Sequence, residues 1–244
     1  MCSSERPRTY LSLVIGLLAA AYSLGAAEAQ VSPITSHLEG RITVSAEIDS
    51  SQDYSGFTIL VGAGTEEGGL DTLGTARTAR SGEFAMDIQA PARGVYSVLI
   101  SRSGNVLTIG DIAVAEGDSA KLRIEYPVST NWLPIRSREN ASWLAYNNTR
   151  IQHTRELAAM FEAQETVSGD TLAAHFRQTA NIMWNLRRTF PNTIGSEFAG
   201  AESLSLLEGW DDSLAVARAE EISPSTGRYA TGGRPGRRAP ARLA

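Results

Sequence analysis

The sequence predicts an α+β protein in which an antiparallel β-sandwich is followed by an α-helical region. Three observations lead to this expectation: short segments of alternating apolar residues, turns rich in glycine about every ten residues between them, and a change to helical periodicity after Pro134. We expect four parts along the chain: a signal peptide over 1–29, the sandwich over 37–128, a domain of three to four helices over 137–222, and a disordered basic tail over 223–244.

Alternation of apolar and polar residues marks the strands. From Leu38 to Ile48 the apolar side chains share one parity, and the segment from Ser119 to Tyr126 has the same period of two, which a strand with one buried face requires. Residues 62–69 form a loop, because their glycines weaken any regular element. The expected strands are 38–48, 57–61, 70–78, 83–88, 95–101, 106–109, a short edge piece at 112–115, and 119–126.

A hairpin in the middle of this region shows the pattern most clearly. The turn at Ser81-Gly82 leads into one alternating segment, and a second follows the break between Pro91 and Gly94. The side chains expected to fill the sandwich core from these two segments are Phe84, Met86, Ile88, Tyr96, Val98 and Ile100.

Helical spacing of apolar residues begins after the sandwich. Asn140 is a suitable cap for a first helix, Gly169-Asp170 begins a second, and Asp211 caps the last, while Phe190-Pro191 ends the second. Each helix has a narrow apolar stripe, which indicates packing on another helix or on the sandwich. The expected helices are 139–165, 169–190, 193 or 196 to 207, and 211–222.

The first 29 residues have the organisation of a secretory signal peptide. Arg6 and Arg8 precede an apolar run, 11–21, and Ala27-Glu28-Ala29 matches an A-x-A cleavage site. That run is shorter than the roughly 20 residues that cross a bilayer as a helix, which favours a cleaved signal peptide. An uncleaved membrane anchor is the alternative. We expect cleavage near Ala29, a periplasmic or secreted protein, and no transmembrane segment after cleavage.

Cysteine content and charge exclude two classes of function. The only cysteine, Cys2, lies in the predicted signal, so the cleaved chain has no thiol for disulfides, for cysteine-ligated metals or for redox chemistry of its own. Residues 30–226 hold 15 basic and 25 acidic residues, a balance that argues against nucleic acid as a partner.

Residues suited to catalysis are few. No HExxH, GxSxG, Walker loop or GxGxxG after a strand occurs. His37, His153 and His175 are far apart in sequence, and His153 with Glu156, one helical turn apart, fits an exposed polar pair better than a metal site. The sequence therefore predicts no catalytic, cofactor-binding or metal-binding residue, no cofactor, and no enzyme activity.

Paired acids and aromatic residues have structural interpretations that we prefer. Asp211-Asp212 lies at a helix start, where acids cap and complement the dipole, and Glu220-Glu221 are neighbours whose side chains do not converge. Core packing is the preferred role of the large aromatics, with a platform for a sugar or peptide as the alternative. These aromatics are Trp132, Trp143, Tyr146, Trp184 and Trp210.

The C-terminal tail carries five arginines and no acid from Gly227 onward. We expect either a solvated disordered end or the product of a truncated or frame-shifted gene, ahead of a tether to an anionic membrane surface. The sequons at Asn140 and Asn147 matter only in a host that glycosylates exported proteins.

Several motifs together resemble the N-terminal domain of unknown function that precedes the thioredoxin module in exported thiol-disulfide interchange proteins. The similarity covers about residues 38–225 and includes the helical FPNTIGSEFAG segment. Similar hairpins occur in transthyretin-like sandwiches, so the expected sandwich is of the transthyretin or immunoglobulin type. The motifs are Leu70-Asp71-Thr72, Gly82-Glu83-Phe84, Pro91 with Gly94 and Tyr96, Gly117-Asp118, and Glu139-Asn140.

The resemblance implies a non-catalytic accessory or interaction module that engages another envelope protein. The thioredoxin domain and its CxxC are not matched, so no catalytic residue of the family has a counterpart here. Two alternatives remain open at this point: a truncated thiol-disulfide oxidoreductase without its CxxC domain, and a carbohydrate-binding β-sandwich module.

Overall fold

The protein is described from a computed structural model, which defines residues 32–65, 68–128, 133–163 and 166–222. The predicted signal peptide, the predicted tail and Trp132 lie outside the described residues. The sandwich and the helices belong to one compact unit that begins at Ile34.

Two four-stranded sheets form the predicted β-sandwich, and four helices follow it, which confirms the α+β fold class. One sheet has the order β4-β1-β7-β8 and the other the order β3-β2-β5-β6. The strands are β1 (Ile34–Val44), β2 (Phe57–Gly64), β3 (Leu70–Arg77), β4 (Glu83–Ala90), β5 (Gly94–Arg102), β6 (Asn105–Val114), β7 (Ser119–Tyr126) and β8 (Ile135–Arg136).

The first sheet is mixed, whereas the sequence predicts a purely antiparallel sandwich. β1 runs antiparallel to β4 but parallel to β7, with Leu38 opposite Ala120. After β4 the chain crosses to the other sheet, where it forms β5 and β6. It then returns to the first sheet as β7, which runs in the same direction as β1. The predicted hairpin does not pair with itself, because β4 and β5 lie in different sheets.

The sandwich core follows the predicted alternation. In β4 every second residue is buried, and Ile88 and Val98 from the two sheets are fully buried. Burying a side chain of this size stabilises the fold by about 1.5–3 kcal/mol. Gly40 lies on the inward-facing side of β1. The position requires glycine, because a Cβ there would lie 2.0 Å from the carbonyl oxygen of Leu122.

Strand boundaries differ from prediction in several places. β2 continues to Gly64, so residues 62–64, predicted as part of a loop, pair with β3. β1 ends at Val44, since the backbone turns at Ser45, and Ile48, predicted as a buried strand residue, is 56% exposed. β6 joins two predicted segments through Gly110, where a Cβ would meet the side chain of Leu133 at 2.9 Å. The short strand β8 was not predicted.

The helices are α1 (Arg138–Ala163), α2 (Gly169–Thr189), α3 (Ile194–Leu207) and α4 (Asp212–Ile222). Thr193 and Ser196 form the capping box of α3, and Asp211 accepts a 3.2 Å hydrogen bond from the Leu214 N–H, as its predicted cap role requires. Asn140 lies inside α1 and does not cap it, so that prediction was wrong.

A second apolar core holds the helices together. Tyr146 from α1, Ala180 and Met183 from α2, and Ala199 and Leu207 from α3 are buried in it. Among the described residues, no helix is long and apolar enough to span a membrane.

Candidate functional site

Arg93, in the loop between β4 and β5, joins the sandwich to the helices. Its guanidinium donates to Glu197 Oε1 at 2.6 Å, to the backbone oxygen of Asn192 at 2.7 Å and to Glu139 Oε1 at 3.4 Å. One side chain of the sandwich therefore contacts the start of α1, the loop before α3, and α3 itself. We call the set Arg93, Glu139, Asn140, Asn192 and Glu197 the junction.

Glu139 connects two helices within the junction. Its second carboxylate oxygen accepts a 2.8 Å hydrogen bond from the N–H of Ile194, the first residue of α3. An acid at this position satisfies a free backbone donor and complements the positive end of the helix dipole. The carboxylate of Glu139 therefore links the start of α3 to the start of α1.

Asn140 binds the free edge of β6 as a neighbouring strand would. Its Oδ1 accepts from the Ala113 N–H at 2.9 Å, and its Nδ2 donates to the Ala113 carbonyl at 3.0 Å. The side chain is buried, so these bonds satisfy backbone groups that have no access to water. The predicted sequon at Asn140 is consequently inside the protein.

The close approach of α1 and α3 depends on Gly195. A Cβ at this position would lie 2.3 Å from the backbone carbonyl atoms of Ser142. Only glycine allows the two helix backbones to meet at this distance, because the obstructing atoms belong to a backbone that cannot rotate away.

His153 of α1 and His175 of α2, which the sequence analysis did not bring together, form a hydrogen-bonded pair. His153 Nδ1 lies 2.9 Å from His175 Nε2 and 3.2 Å from Thr179 Oγ1. Glu156 Oε2 is 3.7 Å from His175 Nδ1, so the carboxylate predicted to pair with His153 lies beside the other imidazole. We call His153 and His175 the histidine pair.

Aromatic side chains pack against the pair, in which His175 is buried and His153 is half-buried. His175 is 5% exposed, and Phe176, which stacks on Trp210 at 5.4 Å, packs edge-on against both imidazoles. Burial, followed by the charge that His175 would carry, lowers the pKa of His153 below its ordinary value of 6.5, whereas Glu202 and Glu156 act in the opposite direction.

The histidine pair is suited to holding and transferring one proton, because each neutral imidazole has one donor and one acceptor nitrogen. Within the described residues, no set of three or more His, Cys, Asp or Glu side chains is placed to bind one metal ion. The third histidine, His37, is half-exposed in β1 and contacts Asp87 at 2.9 Å across the sheet.

The predicted acids have structural contacts. Asp211 pairs with Arg177 at 3.0 Å in addition to capping α4, and Asp212 accepts a hydrogen bond from the Gly209 N–H. Glu221 pairs with Arg188 at 3.2 Å.

The aromatic residues divide into core and surface members. Trp184 is buried, with the guanidinium of Arg218 5.1 Å from its ring centre, and Tyr146 is buried in the helical core. Trp143 is half-buried and contacts Phe198, which is 49% exposed, while Trp210 is 38% exposed. The predicted core role therefore holds for two of these residues, and an accessible aromatic surface remains at Trp143 and Phe198.

An open cavity of about 330 Å³ lies between β6 and α1, next to Trp143. Most of its lining residues are apolar, and its polar lining residues are Asp111, Asn140 and Asn147. Sequence reasoning missed this cavity and the junction, although Glu139 and Asn140 were noted as a motif.

Comparison with known proteins finds limited similarity. No family model matches this chain, and no curated protein matches it. Sea bream transthyretin in complex with thyroxine is 15% identical over 41% of this chain and 93% of its own, with a TM-score of 0.28. Transthyretin from Sparus aurata is 17% identical over 41% and 97%, with a TM-score of 0.26.

A third solved structure, an (S)-allantoin synthase, is 11% identical over 44% of this chain and 45% of its own, with a TM-score of 0.28. Similarity at this level does not bear on what the chain binds or does.

Proposed function

We propose that the protein is an exported, non-catalytic interaction module of the kind that precedes a thioredoxin-like thiol-disulfide oxidoreductase, and that it engages a partner protein in the periplasm or outside the cell. One observation carries the proposal. Three motifs of the resemblance, the Pro91–Gly94 loop, Glu139-Asn140 and the segment around Asn192, meet in the junction.

A module that presents a partner in a defined orientation needs its own layers in a fixed arrangement. The junction supplies this arrangement. Arg93, in the loop that connects the two sheets, bonds to the segment before α3, and Asn140 of α1 bonds to the edge strand β6. Charge-assisted bonds such as those of Arg93 are about twice as strong as neutral ones. The role of the junction in such a module is thus structural, and the binding surface lies elsewhere.

The surface of Trp143 and Phe198 is the candidate contact for the partner. The two rings meet edge to face at 5.4 Å beside the apolar cavity between β6 and α1. Partly exposed aromatic residues next to an apolar depression are typical of interface cores.

Binding to a thioredoxin domain tests the proposal. The probe is the separately expressed thioredoxin domain of a family protein, titrated calorimetrically against this protein. We expect a dissociation constant on the order of 10 µM, a free energy of about −7 kcal/mol. Phe198→Asp should weaken binding at least about tenfold, because it places a charge in the contact.

Val216→Asp is the matched control, since Val216 is exposed on α4 and lies outside the aromatic surface. Equal binding by the two variants would reject the assigned surface, and absence of binding to the thioredoxin domain would reject the proposed function.

Carbohydrate binding is a second candidate, because Trp210 is 38% exposed and the half-buried Trp143 lines the open cavity. Binding on a glycan array that is lost in Trp210→Ala or Trp143→Ala would favour it over the interaction module.

A further inference from the structure

The two halves of α1 are held in different ways. Asn140, Ser142 and Tyr146 are buried, and the first two also make the hydrogen bonds that fix the start of the helix. From residue 147 to Ala163, no α1 side chain is buried. We call residues 147–163 the distal half of α1. It has little apolar contact to hold it, so individual polar contacts matter more there.

The histidine pair is the main polar link between the distal half and the rest of the described structure. The other side-chain hydrogen bonds of this segment, from Thr149, Gln152 and Thr154, stay within α1. His153 instead reaches His175 and Thr179 of α2, and Glu156 approaches the same His175.

We propose that the histidine pair is a pH-sensitive latch: the two imidazoles hold the distal half of α1 on α2 while they share at most one added proton, and a second proton releases it. The proposal concerns regulation of the helical layer and does not depend on which partner the protein binds.

The chemistry of the pair explains why the second proton is decisive. In the neutral pair one N–H donates to the other ring's lone pair, and a single added proton keeps that bond as N–H⁺···N. Glu156 beside His175 favours this singly charged form. In the doubly protonated pair both facing nitrogens are donors, and two like charges stand 2.9 Å apart.

The groups that face the pair from the surrounding helices set the direction of the pH dependence. Glu156 of α1 and Glu202 of α3 favour protonation, while burial and the charge of His175 oppose it, and the pKa of His153 in the folded protein is lowered. The unfolded chain therefore binds more protons just below pH 6.5 than the folded chain does. The stabilising effect of His153 is complete above about pH 6.5 and is lost as the pH falls.

Hydrogen exchange measures the release directly. The exchange rate of residues 147–163, corrected for intrinsic rates, is divided by that of residues 138–146 at about pH 7.5 and about pH 5. We expect this ratio to rise at the lower pH in the full chain, since the lowered pKa of His153 means that the released segment binds the added proton more readily than the docked one. In His175→Phe, which keeps the aromatic packing but cannot titrate, the ratio should be the same at both pH values.

His37→Gln is the matched control, because His37 lies in the sandwich and contacts Asp87, away from the histidine pair, and this variant should behave like the unmodified chain. An unchanged ratio in the unmodified chain, or an equal rise in His175→Phe, overturns the proposal. If His175→Phe does not fold, imidazole NMR of the unmodified chain decides. Two coupled steps, the lower accompanied by changes in the distal amides, support the latch, and two independent titrations near pH 6.5 refute it.

Discussion

The carboxylate of Glu139, at the start of α1, accepts a 2.8 Å hydrogen bond from the backbone N–H of Ile194, where α3 begins. The same carboxylate is 3.4 Å from the guanidinium of Arg93 in the sandwich. A single acid therefore completes one helix terminus, holds a second helix against it, and neutralises an arginine from the sheet layer.

Glu139→Ala should lower the free energy of unfolding by about 2–3 kcal/mol. The substitution leaves the Ile194 N–H without its partner and removes one acceptor of Arg93, and hydrogen bonds to charged groups are worth about 1.5–3 kcal/mol. Urea denaturation measures the change. Glu125→Ala, at an exposed position of β7, should alter stability by less than about 0.5 kcal/mol, and a similar loss in both variants would contradict the role given to Glu139.

Asn140→Asp should destabilise the protein by about 2–4 kcal/mol. The carboxylate keeps the acceptor for the Ala113 N–H but places a negative oxygen against the Ala113 carbonyl, in a buried site. Thermal unfolding at neutral pH reports the loss. Asn147→Asp, about two turns further along α1 and half-exposed, is the comparison variant, and it should be nearly neutral.

Gly195→Ala should destabilise the protein although alanine is the better helix former. A Cβ at residue 195 meets the backbone of Ser142 at 2.3 Å, so the helices must separate, at a cost of about 1–3 kcal/mol. Chemical denaturation distinguishes this loss of stability from the gain of up to about 1 kcal/mol that helix propensity alone predicts for a glycine-to-alanine change.

Gly200→Ala in the same helix is the control for Gly195→Ala. The nearest atoms to its added Cβ belong to the flexible side chain of Arg187, which can move. We expect this variant to be neutral or stabilising, and a gain in stability at residue 195 would show that the helices do not meet as described.

Arg218→Ala should cost about 2–3 kcal/mol. The buried guanidinium donates to the Ala180 carbonyl at 3.0 Å, to Ser203 Oγ at 2.7 Å and to Asn181 Oδ1, and so ties α4 to α2 and α3. The midpoint of urea unfolding is the measurement. Arg155→Ala, on the exposed face of α1, provides the reference, and equal midpoints for the two variants would refute a structural role for Arg218.

Much of the secondary structure could be predicted, because it depends on local pattern. Alternation placed seven of the eight strands and helical spacing placed the four helices, although β1 begins and ends four residues before its predicted bounds and β2 is three residues longer than predicted. The errors have two origins. A local turn at Ser45, closed by the hydrogen bond from the Ile48 N–H to the Ser45 carbonyl, ends β1 although the alternation continues to Ile48. Asn140 is a good cap in isolation, but its side chain binds the edge of β6 instead.

The candidate sites were less predictable than the elements that carry them. His153 and His175 are 22 residues apart, and their contact depends on the register of α1 against α2, which no local spacing encodes. Glu139 and Asn140 were visible as a motif, but their partners Ile194 and Ala113 lie 55 and 27 residues away.

By itself the sequence determined the fold class, the change from sheet to helices after Pro134, and the alternating residues of the sandwich core, because burial of apolar side chains follows their period along a strand. Only the tertiary structure decided which polar groups meet: Arg93 with Glu139, Asn140 with Ala113, and His153 with His175. Hydrogen bonds act over about 3 Å, so their partners are selected by the packing of whole elements, which the sequence pattern does not specify.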